Sequence, residues 1–581
     1  MKVKIQETHL TGIAISQGIA IGIPFFFAVI EDSIPEKHVP EEALEGEIDR
    51  FRKAVNRCRL DIQKLQAQLE MENAIEAVAI LDTHIHIMSD PLLNENVEQE
   101  IRNRRKNADF IFKELSLRYQ EKFKAMPDAF FRERVLDLQD IGRRIIAYLC
   151  EQQHVSLSEI PEGSIVFSRD LAASDVAEVK GSAVLAFVTE TGGATSHAAI
   201  VAKAKGIPYI ASVDFGLIEQ VTPEMAIVDG NKGVIILNPA ISTLEMYEGR
   251  KQEQNQFYHA LEKTSFLQPE TVDGHQMRLS ANIEMVNEIE MVHRYGAGGV
   301  GLFRSEYLFL SQQDFPSEEE QFAIYKSIVK KMNGLPIVIR TFDVGGDKLM
   351  PQQQASYKRN PYLGCRAIRF LLQEKEIFKT QLRAILRASI YGNVKIMFPM
   401  VIGISELLEA KKMVEESKQE LKKSGKKVPE KIKIGCMIEV PSAAVVADLL
   451  AQECDFLSIG TNDLVQYTLA ADRGNQSSSV QYLPTHPAVI RLIKLVVTHA
   501  NRFGIPVAVC GEIAADPKFT PLLMGLGISE LSVTSRSLPI IKNAIRNVSI
   551  LEVSQLADRI LTLKTPEEVE ECLLAYPNSI I

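Results

Sequence analysis

The sequence predicts a multidomain α/β protein in which an inserted helical bundle interrupts a first α/β domain and a C-terminal (β/α)8 TIM barrel follows. Three observations lead there. The 581 residues exceed what one core usually serves, and at about 150 residues per domain they leave room for three or four. A long heptad-patterned stretch separates two groups of strand-like segments. Short apolar runs, each followed by a helical pattern, then recur eight times toward the C-terminus.

Composition narrows the class. With 46% hydrophobic and 24% charged residues the chain has the make-up of an ordinary globular protein, neither disordered nor collagenous. A net charge of −10 argues against a nucleic-acid binder, which needs a basic footprint to displace counterions. The seven cysteines are scattered, odd in number and without a CxxC pair. Neither a disulfide framework nor a zinc knuckle is indicated, and a reducing cytoplasm fits.

The first element is the uncharged stretch 10–30, LTGIAISQGIAIGIPFFFAVI. Gly12, Gly18, Gly22 and Pro24 count against a membrane-spanning helix, whereas Ile13 and Ile15, then Ile19, Ile21 and Ile23, alternate with small residues as in buried strands. No membrane insertion is expected. From Glu41 to Glu70, Leu44, Ile48, Phe51, Val55, Cys58, Ile62, Leu65 and Leu69 step by four and three, a helix seam. Further helices are expected around Ile75–Met88, Leu92–Phe123 and Phe130–Cys150, punctuated at Asp90-Pro91 and Pro127-Asp128. His84 and His86, two apart, cannot chelate a metal from one helix face. Strand signals return at Ser164–Phe167, Ala183–Val188, Tyr209–Ala211 and Ala226–Val228, so the opening strands should pair with these and the bundle is an excursion. The polar stretch Leu244–Thr264 predicts a connecting helix.

From about Thr271 the runs MRLSANIE, GGVGLFRSE, PIVIRTFD, VKIMFPM, IKIGCMIEV, DFLSIGTND, IPVAVCGE and ELSVTSR supply the barrel strands. In this architecture the strand tips build the active site. The tips carry Asn282 and Glu284, Arg304 and Glu306, Arg340 and Asp343, Met400, Glu439, Asn462 and Asp463, Cys510 and Glu512, and Ser532. Arg304 and Arg340, with Arg473 just past the sixth strand, suit a planar polyanion, because a guanidinium offers paired donors to phosphate or carboxylate oxygens. Glu439 and Asp463, on consecutive strands, are hard oxygen ligands of the kind Mg²⁺ takes. Taken singly, each arginine or carboxylate reads as half of a surface ion pair, and Cys510 as a small buried apolar residue. That reading leaves unexplained why they follow the apolar runs so regularly.

Residues 192–210, GGATSHAAIVAKAKGIPYI, place His197 between a glycine-led loop and an alanine-rich helical pattern ended by Gly206 and Pro208. At a helix N-terminus the free N–H groups and the dipole favour a bound anion by roughly 0.3–1 kcal/mol and disfavour imidazolium. A neutral ring keeps a lone pair, so His197 can act as a nucleophile and carry a phosphoryl group. Thr195 and Ser196 add hydroxyls. The competing reading of such a histidine is a cap or a packed side chain.

The runs GGATSHAAIVAKAKGIP, GVGLFRSEYLF, RTFDVGGDK, NPYLGCRAIR, QLRAILRAS, IMFPM, IEVPSAA, SIGTNDLVQYTLAADRGN and CGEIAAD together resemble Enzyme I of the bacterial sugar phosphotransferase system, the phosphoenolpyruvate–protein phosphotransferases. The resemblance covers essentially the whole chain. It implies a swivelling phosphohistidine α/β domain (1–30 and 155–238), a helical domain that binds the carrier protein HPr (31–154), a linker helix (239–268) and a phosphoenolpyruvate-binding, dimerising barrel (269–581). His197 would be the phosphorylated residue; Arg304, Arg340, Arg473 and Asn462 would hold phosphoenolpyruvate; Glu439 and Asp463 would bind Mg²⁺, with Asp463 also at the substrate. Cys510 would protonate the enolate as pyruvate forms. Arg366 lies in a matching motif, and His84 matches a position in the carrier-docking region.

The related dikinases and synthases carry a large ATP-grasp domain, for which the insertion here, about 120 residues and helical, is too small. Three departures bear on transfer rate and partner preference more than on reaction class. Ala194 stands where many members have arginine, Gln139 replaces a basic residue of the docking region, and Cys365 stands where tryptophan is common. Two alternatives to a homodimeric, cytoplasmic sugar-transport enzyme are a nitrogen-type regulatory paralogue and a catalytically silent scaffold. The former usually has an extra N-terminal sensor domain, and the latter would not need to keep these side chains.

Overall fold

The alternation at residues 13–23 becomes β2 (Ile13–Ser16) and β3 (Ile19–Phe26), which follow β1 (Thr8–Thr11). The computed structural model describes residues 7–27, 34–71, 75–124, 129–150, 157, 160–179, 183–193, 196–218, 223–308, 315–344, 364–471 and 482–576. Arg473, Ala194, Thr195 and the Pro127-Asp128 punctuation lie outside them. The chain forms two compact units, Met1–Asn255 and Gln256–Ile581.

In the first unit the chain leaves the sheet after β3 for helices α1 (Leu44–Met71), α2 (Ile75–Met88), α3 (Pro91–Arg104), α4 (Ala108–Lys124) and α5 (Ala129–Leu149). The seam residues Ile48, Phe51, Cys58, Ile62 and Leu69 of α1 are buried. The expected helix over Leu92–Phe123 is broken in two. Arg105 adopts a left-handed φ of 54°, and the buried Asn107 accepts from Lys37 N at 2.8 Å and donates to Pro35 O at 3.1 Å and Asp109 Oδ1 at 2.8 Å. The incoming segment thus docks at an asparagine that periodicity alone does not single out.

The chain re-enters the sheet as β4 (Ser164–Ser168) and continues through α6 (Ala173–Glu178), β5 (Val184–Thr189), α7 (His197–Lys205), β6 (Tyr209–Ala211), α8 (Phe215–Ile218) and β7 (Ala226–Asp229). A further strand, β8 (Val234–Leu237), pairs antiparallel with β7 across the turn 230–233, where Gly233 has φ 68°. The strand order is β1-β8-β7-β3-β4-β5-β6-β2, with β3, β4, β5 and β6 parallel. Ile23 to Phe26 of β3 lie beside Ser164 to Phe167 of β4, so the strands on either side of the insertion are direct neighbours. Side-chain alternation assigns the two faces. Val166 and Phe187 join the core shared with the bundle helices, α6 and α7, while Ile165, Phe167, Ala186 and Val188 pack on the other face with Val213, Phe215 and Ile218.

Helix α9 (Ile241–Thr264) contains the division between the units. The second unit is a closed barrel of parallel strands, β9 (Arg278–Ile283), β10 (Val300–Arg304), β11 (Ile337–Arg340), β12 (Val394–Phe398), β13 (Lys433–Ile438), β14 (Phe456–Ile459), β15 (Val507–Val509) and β16 (Glu530–Thr534). Closure comes from β16 on β9, with Glu530 opposite Arg278 and Thr534 opposite Asn282. Leu302, Val338, Met397, Met437, Phe456 and Cys510 fill the interior, and intervening residues such as Ile339, Ile396 and Ile438 face the helices. No helix among the described residues is long and apolar enough to cross a membrane.

Candidate functional site

Chemistry-bearing side chains gather at one place in each unit. In the first, Ser196 ends its loop in extended geometry and its Oγ accepts from Ala199 N at 3.2 Å, the cap that starts α7; Gly206, left-handed at φ 69°, ends it. His197 is therefore the first residue of the helix. Its side chain is 28% exposed, so the ring is reachable. Its Nδ1 lies 2.8 Å from Asp137 Oδ1 of α5, 60 residues back in the sequence. A carboxylate accepts, so Nδ1 carries the proton and Nε2 keeps the lone pair. Asp137 is buried. Burial alone raises a carboxyl, but hydrogen bonds from His197 and then His84 outweigh it and hold Asp137 well below the usual range. Asp137 was not singled out from the sequence. The signal available was Asp137, Asp140 and Arg144 at helical spacing on the buried face of α5.

His84, matched above to the docking region, is 1% exposed with its Nε2 3.1 Å from the same Asp137 oxygen, so its ring faces inward. Gln139 is half-buried and donates to Gln120 Oε1 at 3.3 Å. Cys365, in the second unit, is half-buried with its thiol 3.2 Å from Gln373 Oε1.

In the second unit the tips converge at the C-terminal mouth of the barrel. Arg304, ending β10, donates to Glu284 Oε1 at 2.6 Å. Arg340, ending β11, is buried, pairs with Glu306 and lies 3.4 Å from Asp343 Oδ2. Burial opposes its charge, yet Glu306, Asp343 and Glu439 keep the guanidinium firmly protonated. Arg366 grips Asp343 through two 2.9 Å bonds and stands 3.5 Å from Asp463 Oδ2. Asn462 and Asp463 open the helix Thr461–Leu469 after β14; the Asn462 amide exchanges two 2.9 Å hydrogen bonds with Glu512.

Cys510 follows β15 and is buried. Ser458 donates to its Sγ from 3.4 Å, while the Asn282 amide holds its carbonyl at 3.3 Å. Burial pushes the thiol up to about 11, against the Ser458 hydrogen bond. Close approach of the tips requires glycine beside it: a Cβ on Gly511 would lie 1.7 Å from Thr461 Oγ1.

Glu439, just past β13, is 1% exposed and accepts from Met400 N at 2.6 Å. Burial, then the facing carboxylates of Asp463 and Asp343, push it up to about 8. Such a carboxyl is short of positive charge, which a divalent cation held with Asp463 would supply. Among the described residues no group of three or more His, Cys, Asp or Glu is arranged for a metal. Two carboxylates fit Mg²⁺, which keeps most of its coordination for water and substrate phosphate. The mouth thus joins Arg340, Arg366, Asp343, Glu439 and Asp463 in one charge network, with Cys510 and Asn462 beside it.

Three families match successive parts of the chain: PEP-utilising enzyme, N-terminal, over residues 11–134; PEP-utilising enzyme, mobile domain, over 160–233; and PEP-utilising enzyme, PEP-binding domain, over 259–550. Among curated proteins, the phosphoenolpyruvate-protein phosphotransferase of Priestia megaterium is 37% identical over 565 residues, covering 97% of this chain and 98% of its own. That of Bacillus subtilis (strain 168) is 38% identical over 565 residues with the same coverage. That of Staphylococcus carnosus (strain TM300) is 35% identical over 571 residues, covering 98% and 99%.

Proposed function

Because the chain belongs to the phosphoenolpyruvate-protein phosphotransferase family, we propose that it transfers the phosphoryl group of phosphoenolpyruvate to its own His197 and then to a histidine-containing carrier of the HPr type. One observation carries the assignment of the acceptor. The Nδ1 proton of His197 is committed to a buried carboxylate, which leaves Nε2 as the nucleophilic atom on a partly exposed ring at a helix N-terminus.

Arg304 and Arg340, joined by Arg473 and Asn462, hold the phosphate and carboxylate of the substrate at the barrel mouth. Glu439 and Asp463 hold Mg²⁺, which when bound neutralises phosphate charge. Nε2 forms its bond to phosphorus as the ester P–O bond breaks. The enolate leaves with the electron pair and takes a proton at its methylene carbon from the Cys510 thiol, giving pyruvate. Water then reprotonates the thiolate. A thiol that titrates near 11 is protonated throughout the neutral range, the form an acid needs.

The donor and the carrier must each meet His197, so residues 239–268 act as the pivot for the phosphohistidine domain (1–30 and 155–238), and the helical domain (31–154) receives the carrier. The barrel domain (269–581) forms a homodimer; Val445, 59% exposed, and Leu449, 43% exposed, offer apolar surface for it. All seven cysteines are free thiols, in keeping with the cytoplasm. The test is incubation with phosphoenolpyruvate labelled in its phosphate. The parent should take up an acid-labile, alkali-stable label and pass it to added HPr, and His197→Ala should take up none. A label retained by the variant removes His197 from the mechanism.

A further inference from the structure

Asp137 accepts from two imidazoles at one oxygen: His197 Nδ1 at 2.8 Å and His84 Nε2 at 3.1 Å, the second fully inside the unit. The other nitrogen of His84, Nδ1, lies 3.7 Å from Asp140 Oδ2, within ion-pair reach though too far for a hydrogen bond. Asp140 is itself tied to α6, accepting from Ser174 Oγ at 2.6 Å and Ser174 N at 3.3 Å. His84 therefore sits between two carboxylates of α5, each anchored elsewhere.

The surroundings are rich in acid. Asp140 of α5, with Asp175 and Glu178 of α6, faces Arg144, which bonds Glu178 Oε1 at 2.6 Å and Ser174 Oγ at 2.7 Å, while Asp137 faces the two imidazoles; Arg143 reaches Asp140 and Asp175 only at 3.9 and 3.7 Å. From α1, Asp61 and the Cys58 thiol also feel this cluster, and Cys58 is pushed up to about 12, chiefly by burial. Carboxylates thus outnumber guanidiniums, and the imidazole N–H groups supply what is missing. Of the two His84 nitrogens only Nε2 makes a hydrogen bond, and that bond goes to the same carboxylate oxygen that holds His197.

We propose that His84 is a positioning residue for phosphoryl transfer at His197: its Nε2–H is the second donor that keeps Asp137 ionised, so that the His197 proton stays on Nδ1 before and after transfer. This rests on His197 being the phosphoryl acceptor. As Nε2 bonds to phosphorus the ring gains positive charge, retained as Nδ1–H against ionised Asp137. In onward transfer the P–N bond breaks and its electron pair returns to Nε2. Were Asp137 to take the proton, the phosphorylated ring would lose that charge and become a poorer leaving group. Losing one of its two donors makes Asp137 more basic and shifts the proton that way.

The experiment is single-turnover labelling of the full chain from phosphate-labelled phosphoenolpyruvate, followed across pH 6–9, with onward transfer to HPr. His84→Leu should slow both steps roughly ten- to hundredfold, by analogy with the loss on removing the outer partner of a metal-bound histidine. KM for phosphoenolpyruvate should stay unchanged and the pH profile should be displaced. His84→Gln, whose amide nitrogen replaces Nε2, should recover most of the rate. Parent rates and an unmoved profile in His84→Leu overturn the proposal. If the leucine variant does not fold, selective ¹⁵N-histidine NMR of the parent decides, with the His197 signals assigned by their loss in His197→Ala: Nδ1 protonated and Nε2 bare supports the proposal, and the reverse tautomer overturns it. Labelling that persists in His197→Ala overturns the acceptor assignment instead, so the two failures are distinguishable.

Discussion

Ser458, on β14, points its hydroxyl at the Cys510 thiol from 3.4 Å, and the same sulfur faces Ile459 O at 3.6 Å. The thiol is thus held by neighbouring strands at the barrel mouth, and the hydroxyl is placed to stabilise the thiolate that the proposed proton transfer would leave. Cys510→Ala is expected to lower turnover of phosphoenolpyruvate to pyruvate by about 10²- to 10⁴-fold, the range for a lost general acid. Exchange of deuterium into the pyruvate methyl group should fall with it. Ser458→Ala should fall between the variant and the parent. Parent-like turnover without the thiol rules out its role as acid.

Arg340 is buried at the barrel mouth, its Nη2 paired with Glu306 and 3.4 Å from Asp343 Oδ2. Lysine cannot reproduce the paired donors. Arg340→Lys should raise KM for phosphoenolpyruvate roughly 10- to 100-fold, corresponding to about 1.5–3 kcal/mol for a lost hydrogen bond to a charged group. A steady-state comparison at fixed Mg²⁺ checks this; a change in kcat alone would place Arg340 elsewhere in the mechanism.

Chelation with EDTA should abolish labelling of the parent, and added Mg²⁺ should restore it. Glu439→Gln would remove one of the two proposed carboxylate ligands and should weaken Mg²⁺ binding roughly 10- to 100-fold, since the ion would depend on few carboxylates. Isothermal titration of the parent and the variant provides the comparison. Equal affinities would exclude Glu439 as a ligand.

The cap of α7 is within reach of a stability measurement. Ser196→Ala removes the acceptor for Ala199 N and should cost about 1 kcal/mol. Hydrogen exchange at Ala199 should accelerate about fivefold, and phosphorylation of the adjacent His197 should slow. An unchanged exchange rate would show that another group holds this turn.

The pH dependence of barrel stability should show the Glu318 cluster. Arg383 Nε at 2.7 Å, Arg387 Nη1 at 2.6 Å and Lys426 Nζ at 3.1 Å surround the carboxylate. Burial raises its pKa, but these three cations outweigh that and bring it down to about 2, from an ordinary 4.5. Because the folded value is the lower one, the contribution is complete above pH 4.5 and disappears as pH falls through about 2. Partial exposure screens the cluster, so Glu318→Gln should cost about 1 kcal/mol at neutral pH. Urea unfolding at pH 7 and pH 3 should show the gap between variant and parent narrowing in acid. A gap that stays constant would assign the loss to packing.

Sequence by itself determined the elements whose signal is local. The seam of α1, the eight apolar runs and the helix headed by His197 depend on neighbours two to four positions away, and periods of 2 and 3.6 record them. Strand β8 was also within reach, since AIVD and VIIL flank a GNKG turn, a hairpin signature. The grouping of arginines, carboxylates and Cys510 at one rim followed from the fold class, because barrel tips share a face.

Tertiary structure decided the rest. It joined β3 to β4 across the bundle and set Asp137 and His84 beside His197. It also turned Glu306 and Asp343 into the counter-ions of Arg340. These contacts span 34 to 141 residues except Arg340 with Asp343, three apart, whose side chains meet only because the barrel mouth buries both. Periodicity says which face a side chain occupies but not which distant face it meets, because that partner is chosen only when the whole chain closes and every buried charge must find its complement.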